Sequence, residues 1–574
     1  MAQSDVPAEG WRLPFREKLW LAGVVTFTLL TFLSTFTFGW VYDDPPQIPG
    51  NADLRWNRLG YLFTHHLWAS AAGIGDARFY RPLLSVWFLL NKTVFGLNVH
   101  WFHLTTVLAH VTATALVFFI ARRWLQNTGG ALLAAGLFGV HPLQTESVSW
   151  ISSVNDSLAA LLCFSSFLAY KKAREAQRYD GLWWTLTGTA FAAALLVKEV
   201  SAVLPAILLA DLFFNSDSGS ERENKGRAGA VIVALCGMIG ISWLILRRHV
   251  LGQVAATTSS LGWGAAILTA PKIALFQLAR VLLPTGLSPH YDFRLIDPAA
   301  GPQSWLALFA FAVLVVAAFL AARRARHLWV AYAWLLLPLL PSLNPRWLNA
   351  GDFVHDRYMY MSMLGVGLLV GAGFEALRRR WPEQRLIPGL AVALLIGLAF
   401  ASAIQSQYWA NDTYLFSRAV QVAPQNAWAQ LNYGAALSAR SKYADAATRF
   451  VRSYDLQASW YAADYAAFAF QNSGDLPQAE RWFELALQKN PSLADAWFGL
   501  GQIRLAQQLP ADAAAFFQKA ISYHPDADGY HYALGSALEQ LGQRSAALEA
   551  YQTELRLHPY QTGARRAIDR LGTN

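Results

Sequence analysis

The stretch LWLAGVVTFTLLTFLSTFTFGWVYDDPPQIPGN, residues 19–51, decides the class of the fold. Its first part, 19–40, carries no charge and is long enough for a bilayer core, which takes roughly 20 apolar residues per helix. The run ends in two adjacent acids, Asp43 and Asp44, followed by Pro45 and Pro46. Carboxylates are costly in hydrocarbon, so the chain leaves the membrane here, and paired acids at a membrane rim point to function. The preceding segment, MAQSDVPAEGWRLPFREKLW (1–20), has no small-residue cleavage site after a short apolar core, so the first run is read as a retained helix.

The rest of the chain agrees with that reading. Of 574 residues, 55% are hydrophobic and only 14% charged, too apolar for an ordinary soluble protein. The formal charge of +9 sits in short clusters between apolar runs, a membrane-topology pattern, so nucleic acid is not an expected partner. Cys163 and Cys236 both lie in apolar runs and read as packing residues, with no disulfide framework or metal cluster. About 11 spans are expected, near 19–40, 102–121, 129–141, 157–170, 183–198, 200–214, 229–246, 303–322, 328–343, 358–376 and 386–405. With the N-terminus inside, Arg122-Arg123, Lys171-Lys172, ERENKGR (221–227), RRAR (323–326) and RRR (378–380) fall on the cytoplasmic side. Arg247-Arg248 fall on the other side. The stretch PKIALFQLARVLLP (271–284) reads either as a further span or as an interfacial helix. Residues 55–68 and 81–95 read as helices on the outer membrane surface.

Beyond residue 408 the composition turns polar and alanine-rich. Pro491, Pro525 and Pro559 are 34 apart, and so are Ala479, Ala513 and Ala547, the aromatics Phe483, Phe517 and Tyr551, and the pair Gly501 and Gly535. That period, with small residues where paired helices touch and proline closing each unit, predicts tetratricopeptide repeats over 427–459, 460–493, 494–527 and 528–561. A half-repeat ends at Pro424 and a capping helix follows 562. The expected fold is all-α: a polytopic membrane bundle over 1–408, then an extracytoplasmic repeat solenoid over 409–574, whose concave face is the kind that binds peptide.

On this topology the polar islands gather on one side: Asp43-Asp44, HPLQTESVSW (141–150), Lys198-Glu199 and NAGDFVHDRYMY (349–360). Arg357 is the natural ligand for a phosphate, because its planar fork matches two phosphate oxygens. Lys198 is a second candidate, or a snorkelling residue neutralised by Glu199. His141 and Glu146 either orient a substrate or, for His141-Pro142, end a helix. His103 and His110 share one helical face and read as headgroup contacts or as packed histidines. Asp356 and Tyr358 flank Arg357, with Tyr358 and Tyr360 expected at the interface; the rival role for Arg357 is a salt bridge to Asp352 or Asp356.

Six stretches, VYDDP (41–45), YRPLLSVWFLLNKTVFGLNVHWFHLTTVLAH (80–110), LFGVHPLQTESVSWI (137–151), VKEVSAVLPAILLADL (197–212), DRYMYMSMLG (356–365) and YWANDTYLFSRAVQVAPQNAWAQLNYGAAL (408–437), carry a resemblance in order along the chain. Together they resemble the transmembrane and tetratricopeptide-repeat (TMTC-type) proteins of the GT-C glycosyltransferase superfamily, related to protein O-mannosyltransferases. The resemblance implies an integral membrane enzyme that takes a sugar, mannose by family weight, from a polyprenyl- or dolichyl-phosphate donor. It would pass that sugar to a protein hydroxyl on the non-cytoplasmic side. It also implies that the first loop carries the acidic pair, with Asp43 as the catalytic base; the chemistry of such a transfer then makes Asp44 its tuning partner or a candidate ligand for a divalent metal, and Glu146 a third catalytic acid. Arg357, Lys198 and His103 would contact the donor, with His141, Tyr358 and Asp356 in support. This chain departs from the family pattern at Asn155, where a basic residue is common before the aspartate, and at His355. Two alternatives stand beside this reading: the same fold acting on a lipid or cell-surface glycan, and a non-catalytic scaffold with peptide-binding repeats. A bacterial inner membrane is the favoured location, and the endoplasmic reticulum if the source is eukaryotic.

Overall fold

The computed structural model describes residues 13–69, 79–175, 180–215, 225–253, 261–348 and 351–572. Parts of the readings above for 1–20, 221–227 and 349–360 lie outside the described residues. The chain divides into two compact units, Met1–Arg418 and Ala419–Asn574, and no strand occurs among the described residues.

The first unit is built from α1 (Phe15–Thr31), α2 (Pro82–Phe95), α3 (Val99–Leu125), α4 (Thr128–Val140), α5 (Val154–Glu175), α6 (Asp180–Val197) and α7 (Leu204–Phe214). These are followed by α8 (Lys225–Leu251), α9 (Trp263–Leu282), α10 (Leu306–Arg324), α11 (Leu328–Leu336), α12 (Met363–Arg380) and α13 (Leu386–Gln407). Six helices, among them α3, α8 and α9, are long and apolar enough to cross a membrane, and large apolar side chains such as Phe309, Val316 and Phe400 face outward. A surface of that kind is stable only against hydrocarbon, so the protein is an integral membrane protein.

Two polar belts close the bundle at its ends. At one end Glu17 pairs with Arg122 at 2.8 Å and accepts from Thr128, Glu375 accepts from the Gly130 N–H at 3.1 Å, and Lys171 pairs with Asp211 at 3.0 Å. The arginines that end α3, α10 and α12 belong to this end. The other end holds all four polar islands. Five of the six membrane-capable helices, α3, α5, α8, α10 and α13, fall on expected spans, and α1 covers the first part of another. The helix α1 is shorter than its apolar run. Thr28, Thr31 and Thr35 turn their hydroxyls back onto backbone carbonyls, and the helix tightens into a 3₁₀ turn over Leu33–Thr37.

The helix α9 covers most of the ambiguous stretch. By composition it qualifies as a span, yet both its ends contact the second belt: the Arg346 guanidinium lies 4.2 Å from the Trp263 ring centre, and Val281 offers its carbonyl to His141 at 3.1 Å. Between these ends Gln277 donates to the His355 carbonyl at 2.9 Å, so α9 packs against the loops that carry the islands. Inside the bundle, α4 is short and buried over most of its length. A Cβ on Gly371 of α12 would sit 2.8 Å from the Gly130 carbonyl oxygen, so glycine is what lets these two backbones meet.

The second unit is a run of antiparallel helix pairs, starting with Ala427–Ser438 and Tyr443–Leu456 and ending with Arg544–Leu557 and the cap Thr562–Gly572. The repeat pattern has a direct packing cause. Gly434, Gly501 and Gly535 lie under the rings of Phe450, Phe517 and Tyr551, and a Cβ on Gly501 would stand 2.5 Å from the Phe517 ring.

Candidate active site

The site begins with the loop that leaves α1. Tyr42 has a φ of 57°, a left-handed conformation uncommon for a bulky residue. Its N–H donates to Asp412 at 2.8 Å, and its ring packs on Trp150 and Phe416 at 5.1 and 5.4 Å. This turn sets the next two residues in opposite roles. Asp44 is fully buried: one oxygen accepts from the Ser152 N–H at 2.8 Å and from its hydroxyl at 2.6 Å, and the other from the Val41 N–H at 3.1 Å. Both oxygens are engaged in bracing one loop on another.

Asp43 is only half-buried, and among the described residues no donor reaches its carboxylate. Burial pushes it up to about 7; Arg357 and His290 pull it down, while Asp352 and Asp412 push it up. A carboxyl poised near neutrality, with free lone pairs, suits proton abstraction.

Across from it, Arg357 directs Nη1 to Glu146, and its backbone N–H donates to the same carboxylate at 3.1 Å. Glu146 is the ion-pair partner of Arg357, in place of the Asp352 or Asp356 of the rival reading. Nε and Nη2 of Arg357 take no partner among the described residues, so one edge of the fork stays open. The rings of Trp150 and Tyr358 lie 5.1 and 5.6 Å from the guanidinium carbon. Asp356 is buried and accepts from the Tyr291 hydroxyl at 2.7 Å; burial and the charge of Glu146 raise it.

Lys198 pairs with Asp156, not with Glu199 as expected from sequence adjacency. Glu199 instead receives Arg81 through two bonds of 3.0 and 2.6 Å. Asn155, the departure noted above, donates to the Ser152 carbonyl at 2.8 Å and so caps the turn before α5. Two expected ligands lie apart from these groups. His141 accepts from the Leu143 N–H and reaches the Val281 carbonyl, ending α4. His103 is fully buried, with Nε2 3.3 Å from the Gly39 carbonyl. Tyr360, expected at the interface, is buried and donates to His110 Nδ1 at 2.7 Å.

Sequence reasoning missed His290, Tyr291 and Trp150. His290 and His355 flank Asp352 at 3.0 and 3.1 Å; burial works to raise that carboxyl, but the two histidines hold it well below the usual range. The available signal was SPHYDF (288–293), a polar run between apolar helices. The loop around Glu146 also buries polar atoms on Gln144, Thr145, Ser147 and Ser149 that no described residue satisfies.

Fold and site together define an integral membrane protein with an acid–arginine cluster at one end of a helical bundle and tetratricopeptide repeats in its second unit. Residues 80–246 match the model of the dolichyl-phosphate-mannose-protein mannosyltransferase family, and residues 466–530 and 517–562 match a tetratricopeptide repeat model. The chain is 27% identical to protein O-mannosyl-transferase TMTC4 of Mus musculus over 476 residues, covering 72% of this chain and 63% of that one. It is 25% identical to protein O-mannosyl-transferase Tmtc1 of Drosophila melanogaster over 542 residues, covering 77% of this chain and 62% of that one. Among solved structures it is similar to MamA, at 20% identity and a TM-score of 0.25, over 29% of this chain and 91% of that one. The chain thus carries a segment similar to that mannosyltransferase family beside tetratricopeptide repeats, and spans somewhat under two thirds of the length of these curated relatives.

Proposed function

We propose that the chain is a membrane glycosyltransferase that moves mannose from a polyprenyl- or dolichyl-phosphate carrier to a hydroxyl of a polypeptide on the non-cytoplasmic face. The observation that carries this is the unpartnered Asp43 carboxylate opposite Arg357, whose guanidinium Glu146 holds with one edge open. In the reaction Asp43 takes the proton of the acceptor hydroxyl, and the oxygen attacks the anomeric carbon. The bond from that carbon to the phosphate oxygen breaks, and configuration inverts. The open edge of Arg357 receives the leaving phosphate in bidentate fashion, with Lys198 behind it, fixed by Asp156. An odd number of crossings from a cytoplasmic N-terminus puts the repeats on the non-cytoplasmic side, where they would recruit the acceptor. A bacterial inner membrane is the favoured setting.

The test is purified protein in lipid nanodiscs with labelled polyprenyl-phosphate mannose or glucose and a serine- and threonine-containing peptide. Label on the peptide, with equal release of lipid phosphate, is the expected result. Label on lipid alone would favour the glycolipid reading, and no release from either donor would remove the enzymatic one.

A further inference from the structure

The first helices of the second and third repeats bring two carboxylates together without a counter-ion. Asp464, on Trp460–Ser473, is 8% exposed, its Oδ1 is buried without a hydrogen-bond partner, and no donor among the described residues reaches its other oxygen. Asp495, on Ala494–Ala506, accepts from the Tyr530 hydroxyl. Burial, and then the charge of Asp495, push Asp464 up to about 7, so the two acids are near enough to repel. A buried carboxylate with no partner destabilises a fold, and its usual compensation is a cation.

Aromatic residues lie along the same two helices. Tyr461 lies one helical turn from Asp464 and stacks on Trp428 at 5.4 Å, and Phe498, one turn from Asp495, stacks on Tyr530 at 4.6 Å. Acids with aromatic rings one helical turn away suit a cationic head on an apolar stem, because the rings attract the charge and cover the methylenes. We infer that this face docks a lysine or arginine side chain of a polypeptide, seated between Asp464 and Asp495. The inference rests on the reading of the repeats as the recruiting element and names what they recruit.

Full-length protein in detergent is titrated with synthetic peptide pools, degenerate except for one central residue fixed as lysine, arginine, glutamate or norleucine. The lysine and arginine pools should bind about tenfold more tightly than the other two, less than the loss at a fully buried charge pair because the face stays open to water. Asp464→Asn should abolish the difference while unfolding at or above the wild-type temperature, and Asp464→Glu should keep part of it. Equal binding of all pools, or a preference that survives Asp464→Asn, overturns the inference. Calcium or magnesium alone stabilising the wild type but not Asp464→Asn would assign the pair to a metal ion and also overturn it. Sugar transfer to a short hydroxyl peptide without basic residues, measured in parallel, should be equal in wild type and Asp464→Asn. Its absence from both would count against the enzymatic reading alone.

Discussion

Glu146→Gln tests the pair that aims the phosphate ligand. Glu146 is 2% exposed at its side chain and accepts from Arg357 twice, through Nη1 and through the backbone N–H at 3.1 Å. Glutamine keeps an oxygen for the backbone bond and loses the charge that opposes the guanidinium. Stranding one member of a buried pair costs about 3–5 kcal/mol. Arg357 is 19% exposed at its side chain, so one edge stays solvated, and the expected loss is the lower part of that range, about 3 kcal/mol. Thermal unfolding in detergent reads it, alongside donor affinity from titration with polyprenyl-phosphate mannose, which should weaken as the fork loses its aim. The double variant Glu146→Gln with Arg357→Gln removes both charges, so it should recover most of the stability and none of the donor affinity. Wild-type stability and donor binding in Glu146→Gln, or additive losses in the double variant, would refute the coupling.

Three further outcomes follow from the geometry. Because burial raises Asp43 to about 7 and the base must be unprotonated, kcat/KM for transfer should rise with pH through about 7 and level above it; a flat profile from about 5 to 9 contradicts this. Asp44→Asn, which leaves buried donors on Ser152 or Val41 poorly matched, should destabilise the protein by about 1–3 kcal/mol in thermal unfolding, and Ser152→Ala by less. Gly501→Ala should loosen the repeats by about 1–3 kcal/mol, since its Cβ meets the Phe517 ring; limited proteolysis should then cut residues 419–572 faster and leave the membrane unit intact.

The sequence showed most clearly what local pattern controls. Long apolar runs marked the membrane-capable helices, and the 34-residue spacing located the repeats, because glycine and aromatic meet where the paired helices pack. Composition could not show what α9 packs against, since an apolar run carries no record of its neighbours. Nor could it assign ion pairs. Glu146 meets Arg357 across 211 positions and Lys198 meets Asp156 across 42, while the adjacent Glu199 turns to Arg81. Several acids and bases shared one rim, and only packing selects among them. The opposite fates of Asp43 and Asp44 were hidden for a related reason: a left-handed Tyr42 and the distant Ser152 decide which acid is buried and which is free.

The most direct test of the central claim is the single-turnover rate of mannose transfer from labelled polyprenyl-phosphate mannose to a hydroxyl peptide, compared between wild type and Asp43→Asn at equal donor occupancy. With Asp43 as the base, the variant should bind donor as wild type does and transfer roughly 100-fold more slowly or worse. Transfer at the wild-type rate in Asp43→Asn would contradict the account.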